Sequence, residues 1–261
     1  MCGLYAGLSG ALGCTAVGSM PRAATLALAP TGRLRACINL GNPVLASRDA
    51  QDVVTGVSVD LAALLAQRLS VPLDLVVVEA ALQSVETVRA DRADIGFFAI
   101  DPRRSDAIGF TAPYVIIEGA YLVRQDSALT DNAQVDRTGT RIMVGRGSAY
   151  DLFLTRELKA AQLLRTATSQ SVVDRFVAEN ADVAAGVRQQ LEADAARLPN
   201  LRLLPGHFMV IEQAMGLPLS RGAAATAMLA GFVEQAKVSG VVAQSLARHH
   251  VRGAIVAPAT G

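Results

Sequence analysis

The sequence predicts an α/β protein. Apolar runs of strand length, Leu34 to Asn39, Leu73 to Val78, Asp94 to Ile100 and Arg141 to Val144, alternate with segments of helical length such as Gly56 to Ala66 and Ala81 to Ala90. That alternation marks strands joined by helices and packed in layers. A further observation is the run Tyr114 to Val123, too long and apolar for an ordinary short strand. With 261 residues, 51% of them hydrophobic, the chain can bury one large core or two smaller ones, so length leaves one domain and two lobes both open.

The elements follow in order. Met1 to about Met20 is made largely of small and apolar residues with no charge before Arg22, as in the apolar part of a secretory leader, although the usual positive start is missing. Residues 1–30 are therefore expected to be a leader or a disordered start. Gly10-Ala11-Leu12-Gly13-Cys14 is similar to a lipoprotein processing site, with the leucine one place too late. With the leader removed, Cys37 is the only thiol, which precludes an intrachain disulfide; in its apolar strand it reads as a small core residue. Gly32 to Asn39 is a strand, Gly56 to Ala66 a helix, Leu73 to Val78 a buried parallel strand and Ala81 to Ala90 the next helix. The strand from Asp94 to Ile100 runs into Asp101-Pro102, an N-cap aspartate with proline at the first helical position. Gln125 to Thr140 is a polar loop with turn signals at Asp131-Asn132 and Arg137-Thr138-Gly139. After the strand at Arg141 to Val144, Gly145-Arg146-Gly147-Ser148-Ala149-Tyr150 leads into a helix to about Ala160. Helices near Val172 to Glu179 and Arg188 to Arg197 belong to two more strand-helix units, Phe208 to Leu217 is a second long strand, and Ala223 to His249 is a helical end.

Two turns are candidate binding elements. The reading at Asp101-Pro102 puts Arg103 and Arg104 in the first turn of a helix, where the helix dipole disfavours a cation. A ligand carboxylate held beside free backbone N–H groups supplies a reason for an arginine there. Two solvated arginines on a surface turn account for the same residues. In the second turn, Gly147 lets backbone N–H groups approach an anion, and Ser148 either caps the helix or donates its hydroxyl to that anion.

Gly56-Val57-Ser58-Val59-Asp60-Leu61, Arg104 and Phe110-Thr111-Ala112-Pro113-Tyr114, in that order and at those intervals, resemble the extracellular solute-binding proteins of bacterial ABC importers, in the amino-acid-type group. The resemblance covers about residues 33 to 250. It implies a two-lobed, periplasmic-binding-protein-like fold in which each lobe is a mixed sheet flanked by helices and two strands cross between them. Residues 31–119 and 214–261 then form lobe 1, and 120–213 form lobe 2. It also implies that Arg104, with Ala99 and Asp101 beside it, grips a ligand carboxylate from the first lobe, while Ser148, with Gly147 and Ala149, meets it from the second. Partners implied are a small carboxylate-bearing solute and a membrane permease, in a periplasmic setting.

Departures bear on the ligand. Family members usually offer an aromatic ring after the first strand, whereas Gly41-Asn42-Pro43-Val44-Leu45-Ala46 has none. They commonly place an aspartate for the ligand's α-ammonium at about Val187. An ammonium left unpaired in a closed cleft costs several kcal/mol, so either another carboxylate replaces it or the ligand lacks the group. Glu118, in an otherwise apolar crossing segment, is the substitute to consider, with an exposed strand end as its simpler reading. Alternation sends only one of Glu212 and Gln213 toward the cleft. Asn39 and Asn42 offer amide hydrogen bonds, and of Phe97 and Phe98 one faces the core and the other a cleft wall.

Other function classes lack support. Net charge is +1, no run of Lys or Arg occurs, and only 4% of residues are aromatic, so neither an electrostatic track nor a stacking platform for nucleic acid is visible. Cys2, Cys14 and Cys37 are scattered and the three histidines lack ligand spacing, so no metal and no cofactor is expected. No hydrolase, zinc-protease or phosphate-loop motif occurs. The expectation is a monomeric, non-enzymatic receptor. The alternative is an enzyme similar to cyclohexadienyl dehydratases on the same scaffold, with Glu118 as an acid whose pKa is raised by apolar surroundings.

Overall fold

A computed structural model of the chain describes residues 19–260. The first half opens with α1 (Arg22–Leu28) and continues through β1 (Leu34–Asn39), the short hairpin β2 (Ser47–Arg48) and β3 (Val54–Thr55), α2 (Val57–Leu69), β4 (Leu73–Val78), α3 (Ala81–Arg89) and β5 (Ile95–Ala99). The long β6 (Ile108–Arg124) leads to β7 (Arg141–Gly145), α4 (Ala149–Glu157), β8 (Gln162–Thr166), α5 (Val172–Ala178), β9 (Val183–Val187), α6 (Arg188–Arg197) and β10 (Leu201–Leu203). The return strand β11 (Met209–Pro218) is followed by α7 (Gly222–Val238), α8 (Val241–Arg248) and β12 (Ile255–Val256).

One mixed sheet runs through the molecule in the order β4-β1-β5-β11-β6-β9-β7-β8, with β10 and β12 also paired to β6. Its two ends are parallel, β4-β1-β5 and β9-β7-β8, as connection through helices requires. The middle is antiparallel. β6 pairs with β11 from Ile108 to Gly119 and with β9 from Gly119 to Leu122, so a single strand belongs to both halves.

Each half has a core on both faces of its sheet. In the first, side chains of α1, α2, α7 and α8 pack on one face, and Val88 of α3 packs with Phe98 and Ile108 on the other. In the second, Tyr150 and Leu154 of α4 cover one face while Val172, Val173 and Phe176 of α5 and Leu191 of α6 cover the other. These are the two helix-flanked layers of a two-lobed α/β fold. α2 illustrates the local logic. Val57, Leu61, Leu65 and Leu69 recur every turn and are buried as one stripe, and the helix starts at Gly56, where φ is 132° and a Cβ would lie 2.4 Å from the Leu45 carbonyl oxygen. Cys37 is a buried free thiol, 3.5 Å from the Ser84 hydroxyl.

Residues 22–28, within the expected leader or disordered start, form α1, whose Ala24 and Leu28 are buried in the first core. The processing-site reading at Gly10 to Cys14 lies outside the described residues. The segment after Asp101 is a single 3-10 turn, Pro102–Arg104, because the chain re-enters a strand at Ile108, and its brevity leaves no sizeable dipole for Arg104 to oppose. The C-terminal helical end is broken into α7 and α8 at Ser239-Gly240, where Gly240 takes φ 77°. Among the described residues no helix is long and apolar enough to cross a membrane.

Candidate functional site

A cavity of about 50 Å³ lies between the two halves, at the ends of β1 and β5 on one side and at the start of α4 on the other. That volume has room for a few waters or a compact solute. The first half contributes Asn39, Asn42, Phe97, Phe98, Ala99 and Arg104, the second Ser148, Ala149, Tyr150, Ser169 and Val187, and β11 adds Ile211 and Gln213.

Arg104 is 4% exposed. Its Nη1 donates to the Ala99 carbonyl at 2.8 Å, and its Nη2 donates across the interface to the Gly147 carbonyl, also at 2.8 Å. Both acceptors are neutral. Two of the five N–H groups of the guanidinium are so occupied, and the side chain lines the cavity. Burial lowers its pKa to about 10, opposed by the nearby Asp101 carboxylate, so at neutral pH a charged guanidinium sits at the interface without a direct anionic partner among the described residues.

Asp101 does not itself reach the cavity. One carboxylate oxygen accepts from the Arg103 N–H at 2.9 Å, capping the turn, and the other accepts from Arg156 of α4 at 2.8 Å. Asp101 is thus matched by an arginine of the opposite half.

The second turn is built as a cap. Gly147 adopts φ 69°, a left-handed conformation that side chains resist, and its N–H donates to Asp151 Oδ2 at 2.8 Å. The Ser148 hydroxyl accepts from the Asp151 N–H at 3.1 Å, while its own hydrogen is free to donate elsewhere. Gly147 meets Arg104 through its carbonyl and is not a lining residue, whereas Ser148 and Ala149 are.

Asn39 Oδ1 accepts from the Gly41 N–H at 2.9 Å, which fixes its amide at the cavity edge. Asn42 also lines the cavity, and its Oδ1 is buried without a hydrogen-bond partner. The cavity receives Gln213, while Glu212 is exposed on the alternate side of β11. Phe97 and Phe98 do not divide between core and cavity as alternation suggested. Both are buried in opposite-face cores and both border the cavity, because they lie near the end of β5 where the sheet faces meet. With Tyr150 they supply the rings that the Gly41 to Ala46 loop lacks.

Glu118 requires correction. Its carboxylate accepts from Arg188 Nε at 2.7 Å and lies 3.0 Å from His207 Nδ1, away from the cavity lining. The Arg188 hydrogen bond holds its pKa below the usual carboxylate range rather than above it. Glu118 is therefore neither a substitute for an ammonium partner nor a raised-pKa acid, and the dehydratase alternative loses its candidate residue.

Ser58, Ser84, Tyr150 and Ser169 also line the cavity and were not singled out as site residues in the sequence. Ser58 belongs to the Gly-x-Ser-x-Asp-Leu helix start and Tyr150 to the Gly-Ser-Ala-Tyr turn, so both carried a signal. Ser169 lies in a loop with no motif, and only the tertiary fold brings it to the site.

The profile of the bacterial extracellular solute-binding proteins, family 3, matches residues 34–250. The chain belongs to that family. No curated protein matches it in sequence. Among solved structures, a solute receptor for L-cysteine of Neisseria gonorrhoeae shares 22% identity at a TM-score of 0.75, covering 88% of this chain and 94% of that one. A mutant of ArgBP from T. maritima shares 18% identity at 0.74, covering 87% and 99%. An ancestral amino-acid-binding protein, AncCDT-1, a precursor of cyclohexadienyl dehydratase, shares 16% identity at 0.70, covering 84% and 95%. At these identities the likeness carries the fold of this solute-binding protein and not its ligand.

Proposed function

We propose that this family member is the extracytoplasmic receptor of an ABC importer and closes its two lobes on a small carboxylate-bearing solute, an amino acid or related organic acid, for delivery to a membrane permease. The observation that carries the reading is Arg104, a buried guanidinium that among the described residues hydrogen-bonds only to carbonyl oxygens, one from each half. A carboxylate is the ligand group that neutralises it bidentately. Lobe 1 comprises residues 31–119 and 214–261 together with α1, and lobe 2 residues 120–213, with the hinge in β6 and β11. Ser148 meets the ligand from lobe 2 while Asn39, Asn42 and Gln213 hold its polar groups. Closure follows because only the closed arrangement gives the solute contacts from both lobes. A receptor accounts for the lining better than an enzyme does, since the described lining residues include no carboxylate, imidazole or thiol.

Thermal-shift screening against carboxylate solutes identifies the ligand through the stabilisation that occupancy confers. Arg104→Ala is then expected to weaken binding of that solute at least about tenfold by calorimetry. Unchanged affinity removes Arg104 from the site and the reading with it.

A further inference from the structure

The described residues that line the cavity carry a single formal charge, the guanidinium of Arg104. Everything else there is neutral: serine hydroxyls, amides, one phenol and apolar surface. A monoanionic ligand brings the buried sum to zero. A zwitterionic amino acid cancels Arg104 with its carboxylate and leaves its ammonium desolvated without a counter-charge.

Among the described residues, four acids outside the lining each meet an arginine. Asp194, in a hollow adjoining the cavity, accepts from Gln190 Nε2 at 3.0 Å and from Arg197 at 2.9 Å, an arginine it shares with Asp174. Asp151 accepts from Arg165 Nε at 2.9 Å, Asp101 from Arg156 at 2.8 Å, and Glu118 from Arg188 at 2.7 Å. Recruiting any of these for an ammonium competes with the arginine that already holds it.

We infer that the ligand is a compact monocarboxylate without an ammonium group, a 2-hydroxy or 2-oxo acid rather than the amino acid of the same skeleton. The inference rests on the carboxylate-receptor reading above and narrows it. The amide of Asn42 suits such a ligand. Its buried, unpartnered Oδ1 accepts from a 2-hydroxyl, and the same amide turned over presents Nδ2 to a 2-oxo oxygen.

Matched acids test it: glycolate against glycine, lactate and pyruvate against alanine, 2-oxoisovalerate against valine, and phenylpyruvate against phenylalanine, each by thermal shift and calorimetry on the full chain. In the skeleton that binds best, the hydroxy or oxo acid is expected to bind at least about tenfold more tightly than its amino acid, because only the latter carries an uncompensated charge. Val187→Asp introduces a near-isosteric carboxylate into the lining and is expected to reverse that order. An amino acid that binds the unaltered protein as tightly as its partner acid overturns the inference and leaves the carboxylate receptor standing. If Asp194→Asn then abolishes that amino-acid binding, Asp194 is the ammonium's counter-charge. If neither series binds, the receptor reading falls together with the inference.

Discussion

Arg104 is held where a cation is expensive: buried, hydrogen-bonded to two carbonyls, and at the boundary of two halves. Its pKa, lowered to about 10 by burial, still lies above neutrality, so the charge is present when a ligand arrives. The sign of the linkage follows. A cation whose folded pKa lies below its unfolded value weakens the fold while both states are protonated, and that cost is relieved as pH rises above about 10. A bound carboxylate removes the same cost at neutral pH. Ser148 serves a second purpose, since its hydroxyl caps α4 through the Asp151 N–H. Ser148→Ala is expected to cost about 1 kcal/mol of stability in urea unfolding through loss of the cap, and to weaken ligand binding as well. A stability loss with unchanged binding would confine Ser148 to capping.

At the scale of elements, the two crossing strands do different work along their lengths. β6 carries the antiparallel pairing with β11 and then, beyond Gly119, the pairing with β9. Glu118 sits at that handover and ties it to α6 through Arg188 and to the loop before β11 through His207. Its lowered pKa means that the pairing adds stability above the ordinary carboxylate range, and that this is lost as pH falls through the lowered value. Glu118→Gln is accordingly expected to lower the melting temperature at neutral pH, with the difference shrinking in acid and disappearing once the carboxylate is protonated in both states. A difference independent of pH contradicts this assignment. The one-turn 3-10 segment at Pro102–Arg104 belongs to the same scale. Asp101 and Pro102 give the correct start signal, but the strand that begins at Ile108 leaves no length for a longer helix.

At the scale of the whole molecule, long-range polar contacts among the described residues that join the halves beside the cavity include Arg104 to the Gly147 carbonyl, Arg156 to Asp101, and Gln170 Nε2 to the Leu40 carbonyl at 2.9 Å. Arg156 is about one-third exposed while Asp101 is nearly buried, so removing the arginine strands a carboxylate in a poorly solvated place. Opening the halves rehydrates it. Arg156→Ala is therefore expected to enlarge the radius of gyration of the ligand-free protein in small-angle scattering and to weaken ligand binding, while the liganded form stays compact. An unchanged radius together with unchanged affinity denies the ion pair any part in closure.

The strand and helix order was legible in the sequence because periodicity and turn chemistry are local properties. Val57 to Leu69 announces its buried stripe, and Arg188–Arg197 matches its expected bounds. The same holds for the arginine turn and the Gly147-Ser148 cap, each written in consecutive residues. What tertiary structure alone decided is who meets whom across the interface. Glu118 and Gln213 are both polar residues in apolar crossing strands, yet one reaches an arginine and a histidine outside the cavity and the other lines it. Ser169 enters the site from a loop without a motif. Sequence order specifies which face of its own element a side chain occupies; the partner that compensates its charge depends on chain segments tens of residues away, and only the folded arrangement brings these within hydrogen-bonding distance.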